Sequence, residues 1–196
     1  MTSTSAQFQL VIFDMDGTLI EQTLDFKAIR AELGIAPDEG ILEAIETMPA
    51  EQRAGARKRL GEIECRTAPN ARLMPGAEET LDTIRSADLK LALLTRNTRW
   101  SMQTVIDKFD LQFDLAWSRE DGPIKPEPDG VLKACLELGA EPHRTACIGD
   151  FEYDMIAANS AGACSVLFAP QEEPHFAHIA DHVVTELTQL PALLGI

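Results

Sequence analysis

What this chain lacks removes several classes of function. Cysteine is scarce: Cys65, Cys135, Cys147 and Cys164 are the whole complement, with no C-x-x-C spacing among them. Cys135, Cys147 and Cys164 fall in apolar runs, as reduced core cysteines do, which argues against a zinc site or a disulfide framework. Positive charge is also short, with 17 Lys and Arg against 32 Asp and Glu and a formal net charge of −15. Such a surface repels phosphate backbones and anionic headgroups, so neither nucleic acid nor a membrane is expected as a partner. No apolar run approaches the roughly 20 residues that a membrane-spanning helix needs. Met1 to Gln7 is a polar lead-in without the ordered basic and apolar regions of a signal peptide. A cytoplasmic protein is expected.

What is there is ample apolar material, 45% of 196 residues, enough for one domain or one domain with a modest insert. There is no internal repeat and no low-complexity linker. The organising stretch is Leu10-Val11-Ile12-Phe13-Asp14-Met15-Asp16-Gly17-Thr18-Leu19. Its unbroken apolar start reads as a strand covered on both faces of a parallel sheet. Asp14 falls at that strand's carboxyl end, where open α/β sheets collect their ligands. Gly17 permits a sharp turn that can aim backbone N–H groups at an anion. Two carboxylates two residues apart, beside such a turn, suit Mg²⁺-assisted phosphoryl transfer through an aspartyl-phosphate.

From Ile20 to Leu73 the pattern turns helical. Phe26, Ile29 and Leu33 share one face of a helix stopped by Gly34. Asp38 can cap a second helix carrying Ile41, Leu42, Ile45 and Met48, which Pro49 ends. A third runs from about Ala50 to Arg66, with Leu60 and Ile63 as its buried candidates. Strands and helices then alternate: strands at Leu89 to Leu94, Phe113 to Trp117, Thr145 to Ile148, Ser165 to Phe168 and His182 to Val184. One helix follows Pro75-Gly76, another includes Val105, Ile106 and Phe109, others span Val131 to Leu138 and Met155 to Ala161, and a last one closes the chain around Leu187 to Leu194. This order predicts an α/β fold, a doubly wound parallel sheet, with a small all-helical unit inserted after the first strand. The expected division is a core of residues 1–19 and 74–196 and a helical cap of 20–73.

Asp14-Met15-Asp16-Gly17-Thr18 resembles the first motif of the haloacid dehalogenase superfamily, most closely its phosphatase branch, and three later segments extend the likeness in order. Thr95 ends the second core strand, as the second motif's hydroxyl residue does. The family usually places Asn directly after it; here Arg96 intervenes before Asn97. Lys125, in Ile124-Lys125-Pro126-Glu127-Pro128, resembles the third motif, and Gly149-Asp150-Phe151-Glu152-Tyr153-Asp154 the fourth. The resemblance implies that Asp14 is the nucleophile and Asp16 the general acid and base. It implies that Thr95 and Lys125 hold the phosphoryl group. It makes Asp14, the carbonyl of Asp16, and Asp150 the Mg²⁺ ligands, with Asp154 orienting them. Gly17, Thr18, Arg96 and Asn97 complete the expected substrate contacts. Asp16 argues against dehalogenation, because the dehalogenase branch keeps no aspartate there.

These residues lead to a Mg²⁺-dependent phosphatase, similar to the phosphoglycolate phosphatase group, acting on a small phosphorylated metabolite as a monomer or small homo-oligomer. A sugar phosphomutase shares the motifs, and a non-catalytic binding protein could share the scaffold; retention of Asp14 weighs against the latter. His175 and His178 read as an ordinary pair without a third metal ligand. Arg53, Arg57, Lys58, Arg59, Arg66 and Arg72 face only Glu62 and Glu64 in the same stretch. That run is either a solvated helix face or a lure for an anionic substrate.

Overall fold

The computed structural model describes residues 7–22 and 24–196; the lead-in before Gln7 lies outside them. Six strands build one sheet: β1 (Leu10–Phe13), β2 (Lys90–Leu94), β3 (Leu115–Trp117), β4 (Thr145–Gly149), β5 (Cys164–Phe168) and β6 (His182–Val184). Their spatial order is β3-β2-β1-β4-β5-β6, with every neighbouring pair parallel. The chain steps outward from β1 to β3 and then restarts on the other side of β1. The crevice between β1 and β4 is therefore the switch point at which such sheets bind ligands.

Alternation along the strands sorts the helices into two layers. Val11, Phe13, Leu91, Leu93 and Ile148 pack with α4 (Ala77–Ser86), α5 (Arg99–Phe109) and α8 (Leu190–Leu194). Leu10, Ile12, Ala92, Leu94 and Cys147 face the opposite layer of α6 (Asp129–Leu138) and α7 (Glu152–Ala161). The expected doubly wound sheet is thus the observed fold.

The insert leaves and re-enters through one zipped doorway. Ile20 and Leu73 form an antiparallel bridge, Glu21 N–H donates to Arg72 O at 2.9 Å, and Met74 N–H donates to Leu19 O at 2.9 Å. Between them lie α1 (Phe26–Leu33), α2 (Ile41–Thr47) and α3 (Ala50–Thr67). They bury a cluster of their own, including Ile29, Ile41, Ile45 and Leu60, separate from those of the sheet. Among the described residues no helix is long and apolar enough to cross a membrane.

Several local expectations need correction. Asp38 does not cap α2; Gly40 is its N-cap, with no side-chain hydrogen bond there. Helices α6 and α7 begin at Asp129 and Glu152, ahead of the apolar periodicity, because their first turns carry acids suited to a helix N-terminus. Strand β3 starts at Leu115, because Asp114 turns its carboxylate onto the Leu91 N–H at 2.9 Å. The closing helix is a 3-10 turn at Leu187–Gln189 followed by α8.

Candidate active site

Each motif residue stands where a core strand ends or in the loop beyond one. Asp14 follows β1, Thr95 follows β2, Lys125 lies in the loop between β3 and α6, and Asp150 follows β4. Parallel strands bring these ends to one edge. Lys125 Nζ lies 2.5 Å from Asp14 Oδ1 and 2.6 Å from Asp154 Oδ1, so one buried ammonium bridges two carboxylates. Carboxylate oxygens of Asp14, Asp150 and Asp154 all fall within 4.8 Å of one another. Thr18 Oγ1 donates to Asp150 Oδ1 at 3.5 Å. Two glycines make room for this crowding. Gly17 has φ +82°, and a Cβ there would collide with the Asp150 carboxylate; a Cβ on Gly149 would collide with Asp154. Asp154 is fixed in the first turn of α7, where its Oδ2 accepts the Phe151 N–H at 3.1 Å.

The loop after β2 sets the second carboxylate. Thr95 is buried, and its Oγ1 accepts the Asn97 N–H at 3.1 Å. Asn97 then donates from Nδ2 to Asp16 Oδ2 at 2.7 Å. The residue expected to contact substrate therefore also holds Asp16 in place. Arg96 turns the other way, towards the insert: its Nη2 donates to both oxygens of Glu43 on α2, at 2.6 and 2.9 Å, and the guanidinium lies 4.6 Å over the Tyr153 ring.

Burial dominates the electrostatics. It pushes the Asp14 carboxyl up to about 6, although Lys125 pulls the other way and Asp154 adds to the rise. It pushes Asp16 up to about 7, helped by the charges of Asp14 and Glu64 and opposed by the Asn97 hydrogen bond. It pushes Asp150 up to about 8, helped by Asp14 and Asp154. Burial works against the Lys125 ammonium, but Asp14 and Asp154 more than offset it and hold the group charged.

The insert closes over this edge and leaves a cavity of about 260 Å³, lined by Asp14, Asp16, Lys125 and Asp150 at one end. Glu64, missed as a site residue, also lines it. Only 3% exposed, it sits 2.5 Å from Arg119 Nη1, and its Oε2 accepts the Thr98 N–H at 3.3 Å. Arg119 Nη1 also donates to Arg96 O at 3.0 Å, and the Arg119 N–H donates to Asn97 O at 3.1 Å. The sequence did carry a signal: Glu64 stands four residues after Leu60, on the helix's buried stripe. Ile63, the expected apolar neighbour, is only partly buried. Arg53, Arg57 and Arg66 do not line the cavity. Arg57 pairs with Glu46, and Arg59 with Glu32 and Glu62, so the basic run stitches the insert together. His175 and His178 are both exposed, and neither lines the cavity.

Comparison with known proteins gives the same direction. Residues 8–162 match the family model of haloacid dehalogenase-like hydrolases. A haloacid dehalogenase-like hydrolase domain-containing protein of Arabidopsis thaliana is 31% identical over 178 residues, covering 85% of this chain and 73% of that protein. A phosphoglycolate phosphatase of Mannheimia succiniciproducens is 29% identical over 192 residues, covering 83% of this chain and 86% of that protein. Among solved structures, a HAD phosphatase from Thermococcus onnurineus shares the fold with a TM-score of 0.72 at 24% identity, covering 96% of this chain and 98% of that one. Four motifs in order at one sheet edge, and a family match over most of the length, lead to one conclusion: the chain belongs to the haloacid dehalogenase-like hydrolases and stands among their phosphatases.

Proposed function

We propose that this enzyme hydrolyses a small phosphorylated metabolite with Mg²⁺ through an aspartyl-phosphate on Asp14, with residues 1–19 and 74–196 as catalytic core and 20–73 as cap. The observation that carries this is the bridged cluster: Lys125 between Asp14 and Asp154, with Asp150 beside them and Asp16 steered by Asn97. Three carboxylates within 4.8 Å of one another, one of them buried and two partly buried, suit a hard divalent cation, and their all-oxygen donor set suits Mg²⁺. Asp14, Asp150 and the carbonyl of Asp16 would hold it, with Asp154 alongside. When bound, Mg²⁺ supplies charge that offsets the repulsion between the anionic nucleophile and the phosphoryl oxygens.

In the first step an Asp14 oxygen bonds to phosphorus and the ester P–O bond breaks. Asp16, held near neutrality by burial, donates its proton to the departing alkoxide. In the second step the Asp16 carboxylate takes a proton from water, whose oxygen bonds to phosphorus. The acyl-phosphate P–O bond breaks, and phosphate and free Asp14 result. Lys125 steadies Asp14 and the incoming phosphate throughout, and the Thr95 hydroxyl would donate to a phosphoryl oxygen. The four free cysteines suit a reducing cytoplasm, and with every proposed site residue on one chain a monomer or small homo-oligomer would suffice. The test is phosphate release from a panel of phosphorylated metabolites with Mg²⁺, and again with chelator. Release that is unchanged in chelator would remove the metal from the mechanism.

A further inference from the structure

We propose that the natural leaving group carries no negative charge and presents an apolar, planar face to the far end of the cavity. This rests on the phosphatase reading above and specifies what the insert selects. Away from Lys125, the cavity wall is built from Leu24, Phe26 and Leu42 of the insert and from Phe151 and Tyr153 of the core. Phe26 is 40% exposed and Phe151 46% exposed, one on each side of the cleft. Phe151 is braced edge-on by Tyr153 at 5.0 Å and by Phe176 at 5.7 Å. Two open aromatic side chains facing one cavity are the usual lining for an apolar ligand.

The charges on the same wall exclude a second anion. Of the two guanidinium groups that reach it, Arg96 is paired with both oxygens of Glu43, and Arg30, bonded only through Nε to Glu39 O at 2.9 Å, is outnumbered by the acids on the same wall. The Tyr153 ring covers the Arg96 guanidinium, whose Nη1 has no hydrogen-bond partner among the described residues. Asp38, Glu39 and Glu152 also line the cavity, and none forms an ion pair among the described residues. A carboxylate on the leaving group would meet three unpaired acids and would have to displace Glu43 to reach Arg96. A neutral hydrocarbon face meets no such opposition and takes Phe26 out of water.

The experiment compares kcat/KM for benzyl phosphate, methyl phosphate and 2-phosphoglycolate with Mg²⁺, on the full chain. Methyl phosphate reports hydrolysis itself. Benzyl phosphate should exceed it by about tenfold or more, the value of burying one small apolar group, and 2-phosphoglycolate should fall below it. Phe26→Ala should lower the benzyl-to-methyl ratio by roughly fivefold through KM, and Phe26→Tyr should restore it. A preference for 2-phosphoglycolate over benzyl phosphate, lost in Arg96→Gln, would overturn the inference and make Arg96 a reader of a distal anion. Turnover of methyl phosphate with no preference between the other two would also overturn it, leaving the phosphatase reading intact. No turnover of any of the three would overturn both.

Discussion

The sheet edge and the helical insert meet at one cavity but handle charge in opposite ways. On the sheet side, ionisable groups are buried against each other: Lys125 touches Asp14 and Asp154, and Asp150 lies beside them. On the insert side many charges pair with one another at the surface, as Arg57 does with Glu46 at 2.5 Å, while Phe26 and Leu42 line the cavity beside Asp38 and Glu39, which form no ion pair among the described residues. Buried groups with mutually raised proton affinities are costly, and a fold keeps them where chemistry needs them. Exposed pairs cost little and contribute little. On the proposed function, this difference puts reactivity in the core and selection by shape in the insert. Among the described residues two ion pairs cross the boundary, Arg96 with Glu43 and Arg119 with Glu64.

The harshest way to break this division is Asp14→Asn, which keeps shape and removes the attacking charge. A fall in kcat of about 10³-fold or more is expected, with far-UV circular dichroism unchanged. The variant should unfold no earlier than the parent, because a buried carboxylate has been replaced by a neutral amide. Hydrolysis near the parent rate would take the nucleophile away from Asp14, and with it the core's claim to the chemistry.

The metal-free site gives the next largest effect, on stability. Asp14, Asp16 and Asp150 titrate near 6, 7 and 8 in the folded chain against 3.8 for an ordinary aspartate, burial being the main cause at each. A folded pKa above the unfolded one means that the folded chain binds more protons in that interval. The contribution to stability is full below the unfolded value and is lost as pH rises through the folded values. In chelator, the contribution of these groups to Tm should therefore fall between about pH 4 and about pH 8. Asp150→Asn should flatten that slope, and Mg²⁺ added at the alkaline end should raise Tm, since it binds the ionised carboxylates. A Tm that climbs with pH in chelator would show that these carboxylates are not held as the geometry requires.

The core was largely legible because each of its site residues is tied to a local pattern. An apolar strand ends, an acid follows, and a glycine turns the chain; Asp14, Gly17 and Asp150 stand in such contexts. The doubly wound topology followed from the same alternation. Strand and helix starts were less legible, since Asp114 leaves β3 to accept the Leu91 N–H and Glu152 opens α7 as a first-turn acid, neither of which hydrophobic periodicity marks. The insert was legible as three helices and hardly at all as a wall. Phe26 reads as a core residue of α1 and is instead 40% exposed at the cavity. Glu64 reads as one acid in a basic run, yet it finds Arg119 55 positions away. A partner that remote leaves no trace in local sequence.

Glu64 sharpens the comparison because it belongs to the insert yet is treated like a core residue. Burial raises its carboxyl pKa despite the opposing Arg119. Glu64→Ala leaves Arg119, 15% exposed, without its carboxylate, though Arg96 O still accepts from it. A loss of about 2–4 kcal/mol is expected by urea denaturation, towards the low side of a broken buried pair. Because Arg119 also grips the backbone of Arg96 and Asn97, and Asn97 steers Asp16, kcat should drop by roughly fivefold, more than KM changes. Glu64→Gln keeps the shape and the Thr98 contact and should recover part of both losses. Parent-like stability and kcat in Glu64→Ala would mean that the insert rests on the core without gripping it.

The smallest effect is expected where the sequence made charge most conspicuous. Between Arg53 and Arg72 the excess of positive charge suggested a lure for an anionic substrate, and Arg53, Arg57 and Arg66 were its natural agents. The structure turns them elsewhere. Arg57 reaches Glu46, and Arg53 donates from Nη2 to Met48 O at 3.1 Å. Arg57 and Glu46 are both more than half exposed, so water and salt screen what they could do at the cavity. Arg57→Ala should leave KM within about twofold of the parent in physiological salt, and any residual difference should vanish as salt is raised. Tm should barely move, because an exposed pair surrenders side-chain entropy nearly as large as its attraction. A tenfold rise in KM that survives high salt would mean that Arg57 contacts the bound substrate through a rearranged insert. Selection by charge would then belong to the insert after all, and the division between a charged core and a shaping cap would fail at its weakest point.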